Sequence, residues 1–422
     1  MMADSEYLTV ADALERVLSG MTVLPSEQVS LLDALGRILA QPVSARDSLP
    51  PFANSAMDGY AVRSADVQAA GREQPVTLRV LADIAAGAVA EVTLVAGTAA
   101  RIMTGAPLPT GADAVIPVEE TSEPWRKEHR PLPDHIAVYK AVQAGDYVRY
   151  PGEDIEAGTM VLPAGHKLRP QEIGVLASLG VSDVNVIRRP KVGILATGDE
   201  LIPVAEPLRP GKIRNSNSYT QRAQVLALGA EPVDLGVARD TEEDVRRCLR
   251  QGLAAGVDLF VSSAGVSVGA YDVVKIVLEA EGNVGFWRVR MRPGKPLAFG
   301  TIGGVPYLGL PGNPVSALVS FERFARPAIL KMAGHTQLDR PELAAIVQED
   351  IHSDGRESYI RAVVNRDDTG RVSARTTGSQ GSHIMTSLVK ANALLIVPEG
   401  VRFVPAGTTL SAMMIDWPPE VF

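Results

Sequence analysis

Four polar stretches in the second half of the chain carry residues able to do chemistry: "ATGDEL" with Asp199 and Glu200, "ARDTEED" with Asp240, "VSSAGVSVGAYD" and "GLPGNPVS". The third holds Ser263, Gly265, Ser267, Gly269 and Asp272; the fourth holds Pro311, Gly312, Asn313, Pro314 and Ser316. Carboxylates gathered in a cleft need cations, and Mg²⁺ with oxygen ligands is the economical partner. Small residues let backbone N–H groups approach an anion or a flat ligand, although an ordinary glycine-rich turn has the same composition. Taken singly, each acidic residue also fits a helix cap.

Positive charge lies nearby. "FWRVRMRPGKP" places Arg288, Arg290, Arg292 and Lys295 within eight residues, and a continuous strand would put the three arginines on one face. Such a face suits oxyanion recognition, and a charge-protected edge strand is the competing explanation. "RPGKIRNSN" adds Lys212 and Arg214. The six histidines are scattered without metal-ligand spacing, and a single cysteine, Cys248, can form neither an internal disulfide nor a zinc or iron–sulfur site. Nucleophile triads, a P-loop and a Rossmann glycine fingerprint are absent.

The elements that position these stretches follow from periodicity. Between about 188 and 330, apolar strand-like runs ("KVGILAT", "EPVDLGVA", "VDLFVSS", "VPYLGL") alternate with helical patterns, which implies a parallel sheet covered on both faces. Loops beyond the carboxyl ends of such strands converge, with helix N-termini aimed into the gap, so the four stretches share one address. Residues 1 to about 45 read as two helical patterns split by "LPSEQ", the first opening on a Thr9–Asp12 capping box. From about 47 to 145 short β-rich runs separated by Gly and Pro form a module of their own. Beyond about 335, "ELAAIV", "YIRAVVNR", "RVSARTT", "ALLIV" and "TTLSAMMI" predict a small all-β domain.

Composition sets outer limits. A chain of 422 residues with 46% apolar and 21% charged residues is globular and multidomain. The net charge of −8 argues against nucleic-acid binding. The acidic start without an apolar core, the lack of an eighteen-residue apolar run and the lone cysteine lead to an expected cytoplasmic, non-membrane setting.

With these motifs assembled, the chain resembles the molybdopterin molybdenumtransferases, the MoeA family, related to the gephyrin E domain. The resemblance runs nearly end to end on "PPFANSAMDGYAV", "RIMTGAPLPTGADAVI", "GEDI", "GILATGDEL", "IRNSNSY", "SSAGVSVGAYD", "RPGKPLAFG" and "GLPGNPVSA", in family order. It implies a multidomain α/β plus β fold: a MoaB/MogA-like parallel α/β sheet domain (1–26 and 177–330), a β-rich insert domain (47–145), a linker domain (27–46 and 146–176) and a C-terminal β-barrel-like domain (331–422). It further implies a homodimer whose site is shared between subunits, with adenylylated molybdopterin and molybdate as substrates and Mg²⁺ as cofactor. The products are AMP and molybdenum cofactor. A molybdopterin adenylyltransferase and apo-molybdoenzymes are the implied partners.

Carried over by position, Asp58, Thr104, Glu200, Asp240, Asp272 and Lys295 are the catalytic candidates, with Asp58 and Thr104 entering from the partner subunit. Glu200, Asp240 and Asp272 are the metal candidates, and Asp154 is a further acidic contributor. Ser263, Gly265, Ser267, Gly269, Arg288, Arg292, Pro311, Asn313 and Pro314 are candidates for binding the substrates. Arg288 and Arg292 stand where many relatives have lysines. "TGSQGSHIMTS" resembles a molybdate-handling loop and adds Ser382 and Ser387. The mechanism implied is electrostatic, with either a molybdate oxygen or a water as attacking group. The rival reading is a non-catalytic molybdopterin-binding paralogue or scaffold of the same fold.

Overall fold

The structure is a computed structural model that describes residues 7–123, 131–264 and 273–417. The chain forms two compact units, one of Met1–Val29, Ala34–Ala40 and Asn185–Phe422, the other of Ser30–Asp33 and Gln41–Val184.

In the first unit, Leu259–Ser263, Lys191–Thr197, Glu231–Ala238 and Val305–Leu310 lie side by side and parallel in a seven-stranded sheet. Alternation along each strand feeds two cores: Leu259 and Val261 pack on one face with Val192, Ile194 and Leu308, and Phe260 packs on the other with Leu195 and Tyr307. Burial on both sides explains why these strands read as continuous apolar runs. One strand departs from the expected parallel order: Pro296–Ile302 runs antiparallel to both neighbours, Gly282–Val289 and Val305–Leu310. Its two connections, 290–295 and 303–304, are too short to hold a crossover helix.

The helices begin where their caps predict. Thr9 and Asp12 exchange both capping-box bonds (3.0 and 3.4 Å), and Thr241 accepts the Asp244 N–H at 3.3 Å. The second helical pattern expected before residue 45 does not form. Ser26–Ser30 is a strand, followed by turns, and Gly36 sits at φ +79°. Ser30 and Asp33 satisfy each other locally, and too few residues remain to repay helix nucleation.

Beyond residue 340, Glu357–Arg366, Val372–Thr376, Glu342–Val347, Thr409–Met414 and Ala393–Val397 pair in a ring that closes through Glu357–Arg366 and Ala393–Val397. This five-stranded barrel removes its own sheet edges and encloses its own core. The arginine face expected on one strand is broken. The strand of Arg288 ends at Val289, and Met291–Arg292 instead pairs with Glu357–Ser358 of the barrel.

In the second unit, five strands run in the order Ala114–Pro117, Gly59–Val62, Thr98–Ile102, Val76–Ile84 and His135–Val138, with cores on both faces. Among the described residues, no helix is long and apolar enough to cross a membrane.

Candidate functional site

The four parallel strands end on one edge, and two cavities open there. The smaller, about 470 Å³, is lined by Glu200, Arg214, Asn217, Ser263 and the Pro311–Pro314 loop, among others. The larger, about 560 Å³, shares Pro296, Pro311, Gly312 and Asn313 with it and extends to the barrel. Small residues are required at the junction. Ala264 takes φ +74° while donating its N–H to Leu310 at 3.1 Å, and a Cβ on Gly312 would stand 3.3 Å from the Ala264 Cβ. Asn217 pins the same loop by donating to the Gly312 carbonyl at 2.7 Å.

Of the acidic candidates, Glu200 lies on the smaller cavity's wall, its carboxylate folded over Gly198, where φ is +137°. Asp240 is exposed and meets Asp199: each carboxylate accepts the other residue's backbone N–H at 3.4 Å. Gly265, Ser267, Gly269 and Asp272 lie outside the described residues. Among the described residues, no three His, Cys, Asp or Glu side chains come together as a metal site. Glu200 and Asp240 offer hard carboxylate oxygens, the donor type Mg²⁺ takes.

The basic candidates divide. Lys295 and Arg292 line the larger cavity. Arg288 turns to Tyr7, donating to its hydroxyl at 3.3 Å, and the Lys295 ammonium lies 5.6 Å from the same ring's centre. These two cations pull the Tyr7 phenol below its ordinary range, the Arg288 hydrogen bond first.

The barrel supplies what the sequence reading missed. Arg361, 1% exposed, lines the larger cavity and donates to the Ser387 hydroxyl and the Gly381 carbonyl, both at 3.1 Å. No carboxylate among the described residues pairs with it. Burial, with the charge of Arg292 adding, lowers its guanidinium to about 10, so it is charged at neutral pH. A buried cation with only neutral acceptors, beside Arg292, Lys295 and Arg356, is what an anion completes. The signal for it was an arginine inside the apolar run "YIRAVV". Ser382 lines the cavity, whereas Ser387 is 2% exposed and serves to hold Arg361, itself donating to the Ile384 carbonyl at 2.6 Å.

In the second unit, Asp58 and Thr104 meet. One Asp58 oxygen accepts both the Thr104 N–H and its hydroxyl at 2.7 Å, and both residues are exposed. Asp154 is also exposed in this unit.

Comparison with known proteins places these features in context. Residues 8–180 match the MoeA N-terminal region (domain I and II), 193–331 a probable molybdopterin binding domain, and 344–414 the MoeA C-terminal region (domain IV). A molybdopterin molybdenumtransferase of a Nostoc species is 39% identical over 417 residues, covering 96% of this chain and 94% of its own. Molybdopterin molybdenumtransferase 2 of Mycobacterium tuberculosis is 40% identical over 389 residues, covering 90% and 93%. A crystal structure of the molybdopterin biosynthesis MoeA protein from Pyrococcus horikoshii superimposes with a TM-score of 0.80 at 30% identity, over 98% of this chain and 100% of that one.

Proposed function

The chain belongs to the MoeA family of molybdopterin molybdenumtransferases, and we propose that it inserts molybdate into adenylylated molybdopterin, releasing AMP and molybdenum cofactor. The observation that carries this reading is Arg361, a buried guanidinium with no carboxylate partner among the described residues, on the wall of a cavity of about 560 Å³. A tetrahedral oxyanion fits there. Arg361 offers a planar fork, Lys295 adds charge from the sheet side and Arg292 from the barrel's edge, and Ser382 adds a hydroxyl. The adjoining cavity of Glu200, Asn217 and Ser263 would take the pterin and its phosphates, so the two substrates meet across the Pro311–Pro314 loop.

In this reading Glu200, Asp240 and Asp272 would hold Mg²⁺, whose charge would neutralise the pyrophosphate. The chain's own residues do the rest by placement: Lys295 and Arg361 fix the oxyanion, and at the buried Arg361 charge interactions exceed their strength in bulk water. We place the reaction in the cytoplasm, with an adenylyltransferase supplying the substrate and apo-molybdoenzymes receiving the product.

The direct test is AMP release from adenylylated molybdopterin with Mg²⁺, with and without molybdate, together with reconstitution of a cofactor-free molybdoenzyme. Molybdate-dependent release that Lys295→Ala and Asp272→Ala abolish is the expected result. Pterin binding without release would leave the non-catalytic reading.

We further propose that the Asp58–Thr104 pair completes the site of a partner subunit in a homodimer. Mixing Asp58→Ala and Lys295→Ala subunits should then restore about a quarter of the wild-type sites, since half the dimers are mixed and each has one intact site. A site built within a single chain would restore none.

A further inference from the structure

The larger cavity is lined by the carboxylates Glu349 and Asp350 as well as by its cations, and a third carboxylate, Asp354, is the one paired with two of those cations. Asp354, in the turn "SDGRES", holds Arg356 firmly: the Arg356 N–H donates to Asp354 Oδ1 at 3.2 Å and its Nε to Oδ2 at 3.1 Å. The Arg356 Nη1 is fixed in turn on the Met291 carbonyl at 3.0 Å. Gly355 at φ +92° gives the tight turn that lets residues 354 and 356 face each other. Arg292 is held differently. Its Nη1 stands 3.6 Å from Asp354 Oδ2, beyond hydrogen-bond length, and its side chain is 47% exposed. Arg292 and Arg356 both line the cavity.

Resting on the oxyanion reading of that cavity, we propose that Asp354 is the resident counter-charge of Arg292 and sets the cavity's oxyanion affinity. Arg356 is locked whether or not an anion is present. Arg292, drawn by charge alone, turns from Asp354 to the incoming oxyanion. Asp354 then stays close enough to lower the positive potential the anion meets, which keeps binding reversible. Because its effect is a potential, it scales with ligand charge, so a dianion feels it twice as strongly as a monoanion of the same shape.

The test is equilibrium binding of molybdate and of perrhenate, a tetrahedral monoanion, to the whole protein and to Asp354→Asn. Asparagine keeps an acceptor for the Arg356 N–H while removing the charge. The expected result is tighter molybdate binding by about two- to fivefold, the scale of a partly exposed ion pair, with the perrhenate gain close to the square root of the molybdate gain. In an Arg292→Gln background, Asp354→Asn should tighten molybdate less than it does alone. Unchanged or weaker binding by Asp354→Asn, with a normal thermal melt, overturns the proposal, as does an equal gain for both anions. Failure of the oxyanion reading looks different: the wild type would bind neither anion, or would bind them equally well after Arg361→Met.

Discussion

Replacing Arg361 by methionine is expected to weaken molybdate binding by about two to three orders of magnitude while leaving the melting temperature unchanged or raised. The two effects separate because the residue is costly for folding and useful for binding. Its guanidinium is almost wholly buried, and among the described residues it donates to neutral oxygens of Ser387 and Gly381. An uncompensated buried charge disfavours the folded state, and an apolar replacement of similar length removes that penalty. Removing one side of a buried charge pair costs about 2–5 kcal/mol, and each 1.4 kcal/mol is about a tenfold change in affinity. Ser387 keeps its own bond to the Ile384 carbonyl, so the loop survives the change. Calorimetric titration and a thermal melt on the same sample decide the matter. A structural arginine would show the reverse, with the melt falling and binding intact. Arg361→Lys keeps the charge but not the planar fork, and should recover only part of the affinity.

Arg361 also marks where sequence reasoning stops. Strand and helix positions in the sheet domain were legible because apolar runs, capping residues and turns all agree there, as at Thr9 with Asp12 and Thr241 with Asp244. Pro296–Ile302 was not read as a strand at all, because "RPGKP" reads as a loop, and its antiparallel course is not written in side-chain pattern either. The arginine face failed for a related reason. Period-two reasoning assumes one strand, yet the sheet strand ends at Val289 and Met291–Arg292 joins the barrel. Closure of that barrel buries Tyr359, Ile360, Arg361 and Ala362 in succession, so alternation could not mark Arg361 as facing a cavity. The meeting of Asp58 with Thr104, distant in sequence, needed motif resemblance to nominate both residues and the structure to join them. Glu200 was nominated from local sequence because its loop follows a strand end, the one context in which position along the chain implies position in space, whereas Lys295 came from the basic run and the motif resemblance.

Gly294→Ala should be the most damaging conservative change in the Arg292–Lys295 loop. Gly294 sits at φ +112°, a region that L-residues rarely adopt, and a Cβ there would lie 2.5 Å from the Ser320 hydroxyl and 3.3 Å from the Met291 methyl. The backbone term alone is about 1–3 kcal/mol. Relief by moving the loop is blocked on one side, because the Lys295 carbonyl accepts the Val289 N–H at 2.7 Å and Pro296 begins the antiparallel strand. The strain therefore falls on Lys295 and Arg292, and a displacement of about an ångström at groups that fix a substrate costs about a hundredfold in kcat/KM. Ser320 is fully buried and its hydroxyl has no hydrogen-bond partner among the described residues, so Ser320→Ala should be nearly neutral by itself. Combined with Gly294→Ala it removes the clash but leaves the backbone conformation unsatisfied. The double variant should thus regain part of the lost melting temperature and little of the activity. Full recovery of both would mean that the collision with Ser320, and not the backbone shape of the Gly294 turn, is what places Lys295.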